Sequence, residues 1–188
     1  MTDQSGNVQT SVYDAHGSLT SQVTVTASGV SEKIVVNGQL TQQDDYFNDL
    51  TSVIHTINAD KTQSAMAYDA TGTAVSNTLF DVNGNKTTEY IFRADGSTSQ
   101  QYDFKLDGSI VQHDLNLDGS QSSTLFGPNG MISEYAAYDA SGFKTQDLFF
   151  TNGTETTRYD YVQGGNTTKY DFTWTARRTS RCSARTAR

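Results

Sequence analysis

The sequence predicts an all-β protein: tandem strand-turn repeats of 11–12 residues that form a β-hairpin meander or a β-solenoid-like elongated array. Three observations carry this. First, the figure Tyr68-Asp-Ala-Thr-Gly72 returns along the chain, with glycines at 72, 84, 96, 108, 119, 130, 142 and 153, so the intervals are 12 or 11 residues. Second, the residue four places before the glycine is aromatic or aliphatic in every copy, while residues around it alternate apolar and polar, the period-two signature of a strand. Third, Asn-Gly or Asp-Gly pairs stand at 37, 83, 95, 107, 118, 129 and 152, and such pairs supply the positive φ angles of tight hairpin turns.

In order, the frame begins at Tyr13-Asp-Ala-His-Gly17 and continues through Val25-Thr-Ala-Ser-Gly29 and Ile34-Val-Val-Asn-Gly38. Two copies then lose the glycine, Tyr46-Phe-Asn-Asp-Leu50 and Ile57-Asn-Ala-Asp-Lys61, which makes residues 39–63 the degenerate stretch. The regular copies run from Tyr68 to Gly142, and Phe149-Phe-Thr-Asn-Gly153 and Tyr161-Val-Gln-Gly-Gly165 close the series. About fourteen units thus form a single array within residues 1–172. Six to eight residues between turns are enough for one strand. A lone hairpin is marginal in water, so the position four before the glycine is expected to be the buried one, stacked from unit to unit as a continuous core stripe. An array without caps exposes an edge strand, and edge-to-edge self-association follows as an expectation.

The tail, residues 173–188, reads TWTARRTSRCSARTAR and breaks the pattern. It is expected to be a disordered basic tail, either a non-native addition or a basic arm for an acidic ligand. Five of the 13 basic residues lie in it, so the preceding chain carries eight against 21 acidic residues. So acidic a body excludes nucleic acid and anionic membranes as partners of the classes that depend on neutralising phosphates. No stretch has the roughly 20 apolar residues of a membrane-spanning helix, and the one cysteine, Cys182, falls in the tail.

Chemistry is sparse. His16, His55 and His113 have no second His or Cys at metal-ligand spacing. No nucleophile elbow, phosphate loop or zinc-protease motif is present. A repeated strand face offers the same group many times rather than a converging set of unlike groups, so the expectation is no catalysis and no cofactor. The pair Asp44-Asp45 reads as part of a solvated loop. The candidate metal ligands are Asp114, Asn116 and Asp118, because Asp114-Leu-Asn-Leu-Asp-Gly119 matches the opening of a calcium loop, although its twelfth position is Leu125 rather than an acid. Turn carboxylates such as Asp95, Asp107 and Asp118 recur evenly and offer loose sites for calcium, or are simply good turn residues. Tyr90, Tyr102 and Tyr159 offer faces for stacking on sugar rings, or ordinary cross-strand packing.

The units Tyr13-Asp14-Gly17, Tyr68-Asp69-Gly72, Phe80-Asp81-Gly84 and Tyr138-Asp139-Gly142 resemble the YD-repeat class of bacterial surface and secreted proteins. They also resemble the Thr/Asp/Gly-rich repeat regions of large secreted proteins of the RTX type. The Arg that commonly follows the glycine in YD repeats is absent. The resemblance implies a bacterial secreted or cell-surface β-scaffold whose partners are other repeats of the same or a longer chain, or a carbohydrate or protein ligand. It implies no active site.

Overall fold

The computed structural model describes residues 6–173 and 181–187, with no helix among them. The chain divides into two compact units, Met1–Thr98 and Ser99–Arg188. The first holds β1 (Val8–Tyr13), β2 (Leu19–Thr26), β3 (Gly29–Val36), β4 (Gln39–Phe47), β5 (Ser52–Ile57), β6 (Gln63–Tyr68), β7 (Ala74–Phe80) and β8 (Lys86–Phe92). The second is built from β9 (Thr98–Phe104), β10 (Ile110–Leu115), β11 (Gln121–Phe126), β12 (Ile132–Tyr138), β13 (Lys144–Thr151), β14 (Thr154–Asp160), β15 (Thr167–Thr173) and β16 (Arg181–Ala187). Within each unit, every strand pairs antiparallel with its neighbour in sequence. Of the two arrangements the sequence predicts, this is the hairpin meander, as short connections require. Of the expected disordered tail, residues 174–180 and 188 lie outside the described residues, and the backbone of β16 pairs with β15.

Two kinds of turn recur among the hairpins, while Ala27-Ser28 closes β2–β3 and residues 161–166 close β14–β15 in other ways. The commoner is a three-residue loop in which Asp81 N–H donates to Asn85 C=O at 2.9 Å and Gly84 N–H to Asp81 C=O at 3.0 Å, with Gly84 at φ +81°. This is a type I turn followed by a left-handed residue, so the glycine alone takes the positive φ. The other is a two-residue turn with both central residues left-handed, found at Asn37-Gly38 (φ 51° and 76°) and Asn152-Gly153 (φ 50° and 74°). Of the seven Asn-Gly and Asp-Gly pairs, only these two form the tightest turn. In the degenerate stretch, Leu50 (φ 70°) and Lys61 (φ 69°) occupy the glycine position and keep the same pair of turn hydrogen bonds.

The alternation of 12- and 11-residue units also acquires a cause. Where Leu79 pairs with Thr88 and Phe80 with Lys86, Thr87 is an extra, unpaired residue, a β-bulge. Its hydroxyl donates to Leu79 C=O at 3.2 Å. The same holds for Thr20 onto Val12, Thr41 onto Ile34, Ser133 onto Leu125, Thr145 onto Ala137 and Thr156 onto Phe149. The units starting after Gly108 and Gly119 have no bulge in their hairpins and are 11 residues long. A bulge therefore adds the twelfth residue, except in residues 143–153, where the two-residue turn at Asn152-Gly153 removes one and leaves 11. The hydroxyl of the bulge satisfies a carbonyl that the broken ladder would leave unpaired.

The expected core stripe is not observed. Among the described residues the only buried apolar side chain is Ala136, and Tyr13, Tyr46 and Phe149 are exposed while Phe80, Phe92 and Phe126 are half-buried. Register supplies the reason. Phe104 pairs with Ile110 and Ile110 with Phe126, which puts these three on one face at one margin. Leu115 lies five residues beyond Ile110 on the same strand, so it faces the opposite way at the other margin. Copies from Tyr46 to Phe92 and from Phe104 to Tyr138 thus alternate between faces and cannot stack into one stripe, whereas Val25, Ile34 and Tyr46 share a face in the first unit and Tyr138, Phe149 and Tyr161 share one in the second. Cover comes instead from cross-strand neighbours on each face.

Candidate functional site

Aspartate chemistry is concentrated in the turns, and there it serves the backbone. Where Asp stands three places before the glycine, its Oδ1 accepts two turn amides: Asp69 from Thr71 and Thr73, Asp81 from Asn83 and Asn85, Asp139 from Ser141 and Phe143. Where another residue takes that place, Asp stands one before the glycine position instead and accepts from the amide and hydroxyl of the Ser or Thr two residues on. Asp49, Asp60, Asp95, Asp107 and Asp118 do this, to Thr51, Thr62, Ser97, Ser109 and Ser120. These bonds stabilise the ionised form, so Asp49, Asp60, Asp69, Asp81, Asp95, Asp107, Asp118 and Asp139 are all held below the ordinary carboxylate value, chiefly by the side-chain hydrogen bond.

The three candidate calcium ligands are placed separately in this scheme. Asp114 lies on β10 and accepts from Gln100 Nε2 at 2.7 Å, from Gln112 Nε2 at 2.9 Å and from Ser122 Oγ at 3.3 Å. Asn116 is a turn residue donating to Ser120 Oγ, and Asp118 caps the same turn. No cluster of three or more His, Cys, Asp or Glu able to hold a metal ion occurs among the described residues. Asp44 and Asp45, expected in a loop, are adjacent on β4 and therefore face opposite sides. Asp44 is buried and accepts both hydrogen bonds from Gln42 Nε2, at 2.8 and 3.0 Å. His55 Nε2 stands 3.7 Å from Asp45 and His113 Nε2 3.4 Å from Asp103, while the amide of His16 is held by Asp14 in a turn.

The densest group of unlike side chains lies on one face of β12 to β15. Register aligns Ala136, Asp147, Tyr159 and Lys169 in one row and Glu134, Phe149, Thr157 and Asp171 in the next. Phe149 meets Tyr159 edge-on at 6.0 Å, and Tyr159 lies 6.3 Å from the nearly parallel ring of Tyr161. Asp147 is buried among them; it takes the Tyr161 hydroxyl at 2.9 Å and the Lys144 ammonium at 3.1 Å. Burial, reinforced by the Asp147 carboxylate, pushes the Tyr161 phenol up to about 12, and the hydrogen bond to Asp147 raises Lys144. Lys169 bonds Asp171 at 2.9 Å and stands over the Tyr159 ring. Of the three tyrosines the sequence singles out, Tyr159 belongs to this group, whereas Tyr102 donates to Gln100 and Tyr90 pairs opposite Asn77. Asp147, Lys144 and Tyr161 escaped sequence reasoning because the copies show no unusual residue there. The signal that was present is local basicity: Lys144, Arg158 and Lys169 are three of the eight basic residues of an acidic body.

No protein-family model matches the chain, and no curated protein matches it. Among solved structures, the chain is similar to a porin-like protein from Bacteroides uniformis at 14% identity, over 95% of this chain and 88% of that one, with a TM-score of 0.28. A likeness of that size carries no argument about fold or function.

Proposed function

We propose that the chain is a structural and adhesive β-repeat segment of a bacterial secreted or cell-surface protein, with no catalysis of its own. The observation that carries this is the commitment of the turn carboxylates: eight aspartates, the most numerous chemically capable groups, each bind amides or hydroxyls of their own turns. A chain whose acids build identical turns is organised for repetition, and its strand faces are left to contact other repeats or a protein ligand.

The test is modular deletion. Removing residues 109–130 takes out two whole units and joins Gly108 to Met131 in frame. A scaffold of nearest-neighbour units keeps its β-type circular dichroism and a cooperative thermal transition, and beads coated with it keep their attachment in proportion to the units remaining. Loss of all structure, or all-or-none loss of attachment, overturns the reading. Sedimentation of the intact chain at high concentration should show association through edge strands, and a clean monomer speaks against that part.

A second reading, a carbohydrate- or calcium-binding module, draws on the adjacent Tyr159 and Tyr161 rings and on the evenly spaced turn carboxylates. Ligand binding to the folded state raises the thermal midpoint. A rise with millimolar calcium, reversed by chelator, or with a member of a glycan panel would replace the scaffold reading; an unchanged midpoint retains it.

A further inference from the structure

We infer that Asn37 and Asn152 are sites of spontaneous covalent modification, converting through a cyclic imide to aspartyl and isoaspartyl residues, and that the chemically identical Asn83-Gly84 and Asn129-Gly130 pairs are protected by their turns. All four are Asn-Gly sequences, and glycine leaves its amide nitrogen sterically open to the preceding side chain. The difference between them lies in hydrogen bonding.

In the two protected turns the attacking glycine amide is engaged, and at Asn129 the side chain is engaged as well. Gly84 N–H donates to Asp81 C=O at 3.0 Å, and Gly130 N–H to Gly127 C=O at 2.8 Å. The backbone N–H of Asn83 donates to Asp81 Oδ1 and so fixes the turn around Gly84, and the Asn129 side-chain carbonyl accepts from Met131 N–H at 3.0 Å. In the two-residue turns, Gly38 and Gly153 stand at the tip with positive φ, and among the described residues neither amide has a hydrogen-bond acceptor. The side chains of Asn37 and Asn152 are exposed and make no hydrogen bond among the described residues. Nucleophile and electrophile are therefore adjacent and unengaged.

The step balances with water as the only co-reactant. Base removes the glycine amide proton, the nitrogen attacks Asn Cγ, the new N–Cγ bond closes the five-membered ring, and the Cγ–Nδ2 bond breaks to release ammonia. Water then opens the imide at either carbonyl. One opening gives Asp; the other gives a backbone lengthened through the β-carbon. Each event adds one negative charge, and the isoaspartyl product inserts an atom into a turn that must hold Val36 opposite Gln39 or Thr151 opposite Thr154. The β3–β4 and β13–β14 hairpins are thus the first to age.

The experiment is time-resolved peptide mapping of the full chain held at mildly alkaline pH in isotopically heavy water, with a parallel sample in denaturant. In the folded chain Asn37 and Asn152 should convert about fivefold faster than Asn83 and Asn129, the factor that one ordinary hydrogen bond imposes on an opening equilibrium. In denaturant the four should converge. Equal rates in the folded chain, or faster conversion at Asn83 or Asn129, overturn the inference. Asp81→Ala supplies an internal check, because loosening that turn should speed Asn83 alone, while an unchanged Asn83 rate counts against turn protection.

Discussion

Residues 39–63 and residues 64–92 lie side by side in the first unit and close their hairpins in contrasting ways. In the regular stretch, glycines 72 and 84 take the left-handed position and both hairpins carry a bulge, at Val75 and Thr87. In the degenerate stretch, Leu50 and Lys61 take that position and neither hairpin has a bulge. Yet the turn hydrogen bonds agree within about 0.1 Å: Lys61 N–H to Asn58 C=O is 2.9 Å and Gly84 N–H to Asp81 C=O is 3.0 Å. What the two stretches share is a carboxylate on the turn, Asp49 and Asp60 in one, Asp69 and Asp81 in the other. In both stretches a capping acid therefore accompanies the turn, and glycine lowers its strain.

The largest expected effect comes from acid, because it acts on every capped turn of both stretches at once. The eight turn aspartates have folded values depressed below 3.8, by the hydrogen bonds they accept. A depressed acid contributes stability above its unfolded value and loses it as pH falls through the folded value. The thermal midpoint should stay level from neutral pH down to about 5 and fall steadily below about 4. A midpoint at pH 3 equal to that at pH 7 would show that the caps contribute nothing.

Next in size is Gly29→Ala. Glycine there is demanded by backbone packing, since a Cβ would collide with the Tyr46 carbonyl oxygen on β4. We expect a loss of about 3 kcal/mol by denaturant unfolding. A loss below 1 kcal/mol, on the same scale, would mean the strand end simply moves aside.

Leu50→Gly and Lys61→Gly test the comparison in the opposite direction. A non-glycine residue held left-handed is strained by roughly 1–2 kcal/mol, part of which glycine gives back as chain entropy. Each change should stabilise by about 0.5–1 kcal/mol, and destabilisation by either would show that the side chain has a packing role the turn geometry does not reveal.

Smallest is Val75→Thr. Among the described residues, six bulges place a hydroxyl on the opposite carbonyl, whereas at another the bulged residue is Val75, across from Ala67. Supplying the hydroxyl should add about 0.5–1 kcal/mol. Slower hydrogen exchange at β6 amides would locate the gain, and no change in either quantity would make the recurring hydroxyl incidental.

Turns were legible in the sequence because their causes are local. Asp81, Asn83 and Gly84 carry the acceptor, the donor and the φ freedom within four residues, so reading them needs no knowledge of the rest of the chain. Even Thr87 was within reach, as a hydroxyl three places after the glycine in a 12-residue unit, although its meaning requires the pairing register. The group on β12 to β15 was only partly legible. Tyr159 could be singled out, but its neighbours Asp147 and Lys169 come from other strands, 12 and 10 residues away, and only cross-strand register brings them level.

By itself, then, the sequence determined the strand-turn alternation and the positions of the turns, because hydrogen-bonded turns are decided by residues adjacent along the chain, while it left meander and solenoid both open. Tertiary structure alone decided which side chains share a face. That depends on parity: one bulged residue, or a two-residue turn in place of three, reverses every side chain that follows relative to its neighbours. The aromatic position repeats in sequence, and parity sends most of its copies alternately to opposite faces, with Val25, Ile34 and Tyr46, and Tyr138, Phe149 and Tyr161, as the runs that share one, so a pattern that reads as one core stripe becomes two sparsely covered surfaces.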